Sequence, residues 1–157
     1  MTRVAFIGLG NMGGGMAANQ AKAGREVMAF DLSAAAVDKA VGAGCVRAGS
    51  VAEAVANADA IITMLPAGPH VRSVYAEQIL PNAPKSAVLI DCSTIDVDSA
   101  RAVAAQAKAA GFRFADAPVS GGTAAADAGT LAFMVGCDEP DFPAVEDFIK
   151  PMCWASR

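Results

Sequence analysis

"RVAFIGLGNMGGGMAAN", residues 3–19, holds five glycines between Gly8 and Gly15. A Gly-x-Gly-x-x-Gly/Ala spacing can be read through it twice, as Gly8-x-Gly10-x-x-Gly13 or as Gly13-x-Gly15-x-x-Ala18. Such a spacing suits the pyrophosphate of a dinucleotide only where its first glycine ends a strand and its last opens a helix. Gly8 follows the apolar run Val4-Ala5-Phe6-Ile7 directly, whereas Gly13 has no strand before it. The first register is therefore the meaningful one. In it Gly8 makes the tight turn, Gly10 lets the backbone approach a pyrophosphate, and Gly13 lets the helix pack on the strand. The amides and positive dipole end of that helix face the phosphates, so Gly8, Leu9, Gly10, Asn11, Met12 and Gly13 form the expected cofactor loop.

Outward from this loop, short runs rich in Val, Ile and Phe alternate with longer alanine-rich stretches. The runs at 3–8, 26–31, 59–65, 86–92, 112–116 and 131–136 read as buried strands, apolar at nearly every position as in a parallel sheet covered on both faces. The stretches at 12–23, 33–42, 50–57, 69–80 and 96–110 have helical spacing, and a last helix starts near Asp138 and runs to about Met152. Ser50-x-x-Glu53 is a capping box, Asp138 is placed to cap the last helix with Pro140 in its first turn, and Gly24 and Gly111 sit where helices must stop. This alternation predicts right-handed βαβ units: an α/β, doubly wound, mainly parallel Rossmann sheet with helices on both faces, spanning residues 1–157 as one domain.

Composition removes several alternatives. A chain of 157 residues, 54% hydrophobic and 18% charged, has enough apolar material for a real core. A net charge of −4 argues against a nucleic-acid partner. No apolar run approaches the ~20 residues that span a bilayer, and the early apolar run leaves no room for a signal or transit peptide. Cys45, Cys92, Cys137 and Cys153 are widely spread without CxxC spacing. They read as small buried residues in a reducing cytoplasm, with neither metal nor disulfide.

Asp31 ends the second predicted strand, near the spacing expected for an acid on the ribose hydroxyls. Its carboxylate repels a 2′-phosphate, and Leu32 and Ser33 bring no positive charge, so NAD is expected over NADP. Ligands of a doubly wound sheet lie beyond the carboxyl ends of its strands. Four segments should line that crevice: Met64-Leu65-Pro66-Ala67, Asp91-Cys92-Ser93-Thr94-Ile95, Asp116-Ala117-Pro118-Val119-Ser120-Gly121-Gly122, and Ala126-Asp127-Ala128-Gly129-Thr130-Leu131. In the second, hydroxyls meet a helix start, and capping explains one of them but hardly the pair. In the third, Ser-Gly-Gly reads either as a flexible loop or as a cradle of amides and a hydroxyl for a carboxylate. His70, the sole histidine, follows Pro69 at a helix start and reads as a surface residue, not a base.

Taken in order, "FIGLGNMGGGMAAN" with "KAG" after it, "DCSTID", "DAPVSGG" and "AGTLAFMVG" resemble the β-hydroxyacid dehydrogenase family, and within it the branch acting on 3-hydroxyisobutyrate. The resemblance covers nearly the whole chain. It implies NAD(P)-dependent oxidation of a short 3-hydroxy acid to its semialdehyde, as in valine catabolism. It also implies that the glycine loop holds the pyrophosphate and Asp31 the adenine ribose. Met64, Leu65, Pro66, Ser93 and Thr94 border the nicotinamide end, and Ser120, Gly121 and Gly122 receive the substrate carboxylate. The family usually has proline where Gly15 stands and glycine where Cys137 stands.

The family's proton-transfer lysine lies in a GxxGxGxxxKxxxN-type motif on a second, all-helical domain, and this sequence stops at Arg157 before it. Lys22, Lys39, Lys85, Lys108 and Lys150 all read as solvated, so no catalytic residue is expected in this chain. The resemblance implies a cofactor-binding half, inactive alone, of an enzyme that forms homo-oligomers through the absent domain. Tartronate semialdehyde reductases and imine reductases share these N-terminal features, and a non-catalytic nucleotide-binding module is the other reading. Trp154 has no evident strand to cover, and the order of Cys153–Arg157 is not legible.

Overall fold

A computed structural model describes residues 1–154. Six parallel strands form the central sheet: β1 (Arg3–Ile7), β2 (Glu26–Phe30), β3 (Val46–Arg47), β4 (Ala60–Thr63), β5 (Val88–Asp91) and β6 (Arg113–Asp116). Their order is β3-β2-β1-β4-β5-β6. The chain works outward from β1 in one direction, then returns to β1's other side with β4. That reversal opens a crevice between the carboxyl ends of β1 and β4, where this architecture places its ligands.

The helices that cover the sheet are α1 (Gly13–Lys22), α2 (Ala34–Gly42), α3 (Val51–Val55), α4 (Gly68–Val74), α5 (Val97–Ala109), α6 (Gly122–Ala128) and α7 (Phe142–Ile149). Successive side chains of a strand point to opposite faces, and β1 divides the core accordingly. Val4 and Phe6 join Met16 and Ala17 of α1, Val37 of α2, and Val145 and Ile149 of α7. Ala5 and Ile7 join Val55 of α3, Val71 of α4 and Val103 of α5. Every residue of β4 and β5 is buried, which is why these strands read as unbroken apolar runs.

Punctuation follows local chemistry. Gly24 and Gly111 take φ of 87° and 91° where helices end, a conformation that only glycine adopts without strain. Ser50 Oγ accepts from Glu53 N at 3.0 Å, while Glu53 Oε2 reaches back to the amide of Gly49 rather than that of Ser50. Asp138 departs from its expected role as a cap. Its carboxylate pairs with Lys108 Nζ at 3.0 Å, and a 3₁₀ turn, Glu139–Asp141, precedes α7.

Three elements differ from the sequence reading. The sixth strand of the main sheet is β3, only two residues long and exposed on both, so it carries no apolar signal. The run at 131–136 instead supplies β8 (Ala132–Phe133), paired antiparallel with β7 (Val119–Ser120) in a separate ribbon. It cannot join the parallel sheet because Gly136 turns back onto Asp116 in an antiparallel bridge. Helix α6 occupies part of a stretch read as loop; it has seven residues and opens on glycine. Trp154 is 57% exposed beside a cavity of about 340 Å³ that Phe142 and Ile149 also line. Residues 155–157 lie outside the described residues.

Candidate cofactor site

A cleft of about 540 Å³ opens over the crevice between β1 and β4. Its floor is the glycine loop, and the three glycines differ in what surrounds them. A Cβ on Gly8, which has φ of 100°, would collide with the carbonyl oxygen of Met64. One on Gly13 would collide with the carbonyl oxygen of Gly8, so helix α1 sits directly against the turn. One on Gly10 would meet nothing within 4 Å. The backbone at Gly10 is thus bare toward solvent, and a ligand can approach it as closely as a pyrophosphate must. Beyond it α1 begins: its Gly14 amide donates to the Gly10 carbonyl at 3.4 Å, and its first turn carries no acid to repel an anion.

Asp31 stands just past β2 at the cleft's second wall. Its Oδ2 accepts from the amide of Leu9 at 2.6 Å and its Oδ1 from that of Ser33 at 2.8 Å. The same carboxylate therefore ties the glycine loop to the β2 turn. A carboxylate has about four acceptor positions, so two amides leave capacity for ribose hydroxyls. Sequence spacing gave Asp31 its place, but nothing in that spacing announced the bond to Leu9.

The third wall comes from Met64, Leu65 and Pro66 after β4. The lining also includes residues that the sequence reading did not assign to the cofactor, among them Leu32, 93% exposed, and a row made of His70, Val74 and Gln78. These three are spaced by four, one face of a helix, and the helical spacing of 69–80 could have revealed them. His70 does face the cleft, and it is exposed.

Not every expected residue arrives there. Ser93 is buried at 1% exposure and lies outside the cleft lining. Thr94 is exposed and also outside it. Ser120, Gly121 and Gly122 sit at the end of β7 and the start of α6, and none of them lines the cleft. Gly121 and Gly122 have φ of 138° and 73°, so both need to be glycine. None of the five lysines lines the cleft either. Among the described residues there is no cluster of His, Cys, Asp and Glu that could hold a metal; burial pushes the Cys45 thiol up to about 11 and raises the Cys92 thiol well above its ordinary value.

The family of the NAD-binding domain of 6-phosphogluconate dehydrogenase matches residues 3–155. The chain belongs to that family. The NAD-binding domain is 46% identical to a 3-hydroxyisobutyrate dehydrogenase of Pseudomonas aeruginosa over 97% of its own length and 52% of the relative's. It is 49% identical to an NAD-dependent L-serine dehydrogenase of the same organism, over 88% of this chain and 47% of the other. A solved structure of Mycobacterium tuberculosis 3-hydroxyisobutyrate dehydrogenase with L-serine superposes with a TM-score of 0.94 at 46% identity, over 98% of this chain and 52% of that one. The chain thus spans about half the length of the curated relatives it matches. No helix among the described residues is long and apolar enough to cross a membrane.

Proposed function

We propose that this NAD-binding domain is the cofactor half of a dehydrogenase that oxidises a short 3-hydroxy acid, of the 3-hydroxyisobutyrate type, to its semialdehyde. The observation that carries the proposal is the cleft at the β1–β4 reversal, with bare backbone at Gly10, a helix start at Gly13 and a carboxylate at Asp31. Gly8, Leu9, Gly10, Asn11, Met12 and Gly13 cradle the pyrophosphate, and Asp31 takes the adenine ribose hydroxyls. Met64, Leu65 and Pro66 flank the nicotinamide end, toward which Ser93 and Thr94 also belong. Ser120, Gly121 and Gly122 receive the substrate carboxylate. Asp31 makes NAD the preferred cofactor, because a 2′-phosphate would meet its negative charge.

Bound NAD supplies the acceptor for the hydride that leaves the hydroxyl-bearing carbon. The protein's task is to hold the two partners in line and to take the hydroxyl proton. Among the described residues no lysine stands at the cleft, and the family resemblance puts the proton acceptor in the part of the relatives that this chain does not span. We place that lysine in an all-helical second domain, which also mediates homo-oligomer formation, and place the enzyme in the cytoplasm. L-serine, a 3-hydroxy acid with an amino group at C2, is a second candidate substrate because of the 49% identity to an L-serine dehydrogenase.

The test has two parts. The 157-residue chain should bind NADH, seen as enhanced cofactor fluorescence, without producing NADH from NAD and 3-hydroxyisobutyrate. Turnover by this chain alone would overturn the location of the proton acceptor. The product of the source gene read past Arg157 should oxidise 3-hydroxyisobutyrate or L-serine; a product that binds NAD but oxidises neither would favour a non-catalytic module.

A further inference from the structure

Five polar groups from three segments form a continuous relay beneath the cleft. Asp91, at the end of β5, is 1% exposed, and its Oδ1 accepts from three donors: Ser93 Oγ at 2.6 Å, Thr63 Oγ1 at 2.8 Å and Ser93 N at 3.1 Å. Ser93 Oγ in turn accepts from the amide of Leu65 at 2.8 Å. On the other side Thr63 Oγ1 lies 2.8 Å from the hydroxyl of Tyr75, which is fully buried. Each hydroxyl has one proton to give. With those of Ser93 and Thr63 committed to Asp91, Ser93 must accept from Leu65 and Thr63 from Tyr75. Every donor direction in the relay is thereby fixed.

One end of the relay, Leu65, lines the cleft, and the other, Tyr75, adjoins the lining residue Val74. Leu65 lies in the loop whose Met64 carbonyl presses against Gly8. Tyr75 opens a π-helical segment, Tyr75–Ile79, that carries Gln78 into the cleft lining and directly follows Val74. π-Helical turns are rare and tend to occur at functional sites. Burial pushes the Asp91 carboxyl up to about 6, against the lowering effect of its hydrogen bonds to Ser93 and Thr63. An apolar residue at this position would be easier to bury than a carboxylate.

We propose that Asp91 is a positioning residue for the cofactor site, acting through Ser93 on the Leu65 loop and through Thr63 on Tyr75 and the π-helical segment. It touches neither cofactor nor substrate. Through its two hydroxyl partners it sets the distance between the loop that buttresses Gly8 and the helix face bearing Val74 and Gln78. This role rests on the reading of the cleft as an NAD site. It adds that Ser93 serves that site from below, with both of its hydroxyl functions committed within the protein.

The experiment is NADH titration of the 157-residue chain carrying Ser93→Ala, Thr63→Val or both, with thermal unfolding to confirm that each is folded. Thr63→Val keeps the shape of the side chain and lies outside the cleft lining. Each single substitution is expected to weaken NADH binding by roughly tenfold, and the double variant by much less than the product of the two, as for members of one network. The Leu65 amide should exchange with solvent faster in Thr63→Val as well as in Ser93→Ala, although Thr63 does not touch it. Unchanged affinity in folded Ser93→Ala overturns the proposal while leaving the NAD site intact. Weakening by Ser93→Ala alone, with Thr63→Val at wild-type affinity and exchange, overturns the relay and returns Ser93 to an independent role. Absence of NADH binding by the unsubstituted chain removes the cofactor site itself, and the proposal with it.

Discussion

At Gly10 and Gly13 the same change, glycine to alanine, should fail in different ways. Gly13→Ala drives a methyl into the Gly8 carbonyl, and overpacking against backbone of this kind destabilises by about 1–3 kcal/mol. Chemical denaturation should register it as a lowered midpoint with an unchanged slope. Gly10→Ala meets nothing in the protein; stability should stay within about 0.5 kcal/mol, while NADH affinity falls at least roughly tenfold, because the methyl takes the space of the approaching ligand. Asp31→Asn keeps an acceptor for the Leu9 amide but removes the charge, so the ratio of NAD to NADP affinity should fall in paired titrations. Asp91 gives a pH signature. Burial raises its folded pKa to about 6, above the ordinary carboxylate value of 3.8, so the folded chain holds this proton longer than the unfolded one. Stability from this group is therefore greatest below about pH 4, declines by about 3 kcal/mol toward pH 6 and is flat above it. Urea titrations of wild type and Asp91→Asn at pH 4, 5, 6 and 7 should show that difference, against a background shared with Asp116, whose carboxyl is also raised by burial. The turn at Gly8, the bare backbone at Gly10 and the close packing at Gly13 were legible because each follows from its place relative to a strand and a helix. The bond from Asp31 to Leu9 and the relay under Leu65 were not, because hydrogen bonds across 22 and 28 residues leave no periodic trace.

Among the elements, long apolar or amphipathic segments were readable and short ones were not. Strands β1, β4 and β5 announce themselves because both faces are buried. Strand β3, two residues long, and helix α6, seven residues long, are held by what they pack on. Helix α7 shows how such packing is secured. Arg25, at the turn before β2, donates to the carbonyls of Phe148 at 3.0 Å and Asp147 at 2.7 Å, and its guanidinium lies 4.9 Å from the centre of the Phe148 ring. Gln20 on α1, fully buried, donates to the same Phe148 carbonyl at 2.6 Å. Burial lowers the pKa of Arg25, but the group stays charged. Arg25→Met should retain the packing of the stem and lose the clamp, destabilising by about 1–3 kcal/mol. Amide exchange should localise the loss to 142–149 and leave the cofactor loop protected.

For the whole molecule, a ligand that binds only the folded state raises stability by about 2.7 kcal/mol at a hundredfold excess over its Kd. In a domain of this size each kcal/mol moves the unfolding midpoint by roughly 2–4 °C, so saturating NAD should shift it upward by about 5–10 °C, and equimolar NADP by less. An all-parallel sheet has two open edges, and each is a template on which another chain could grow. Here one edge is β3, only two residues long, with the charged Arg47 as its second residue. The other is β6, which begins at the exposed Arg113, and at its far end Asp116 already exchanges both backbone bonds with Gly136 at 2.9 and 2.7 Å. The returning segment that defeated the reading of a sixth parallel strand thus occupies the far end of the β6 edge, shortening the template open to another chain.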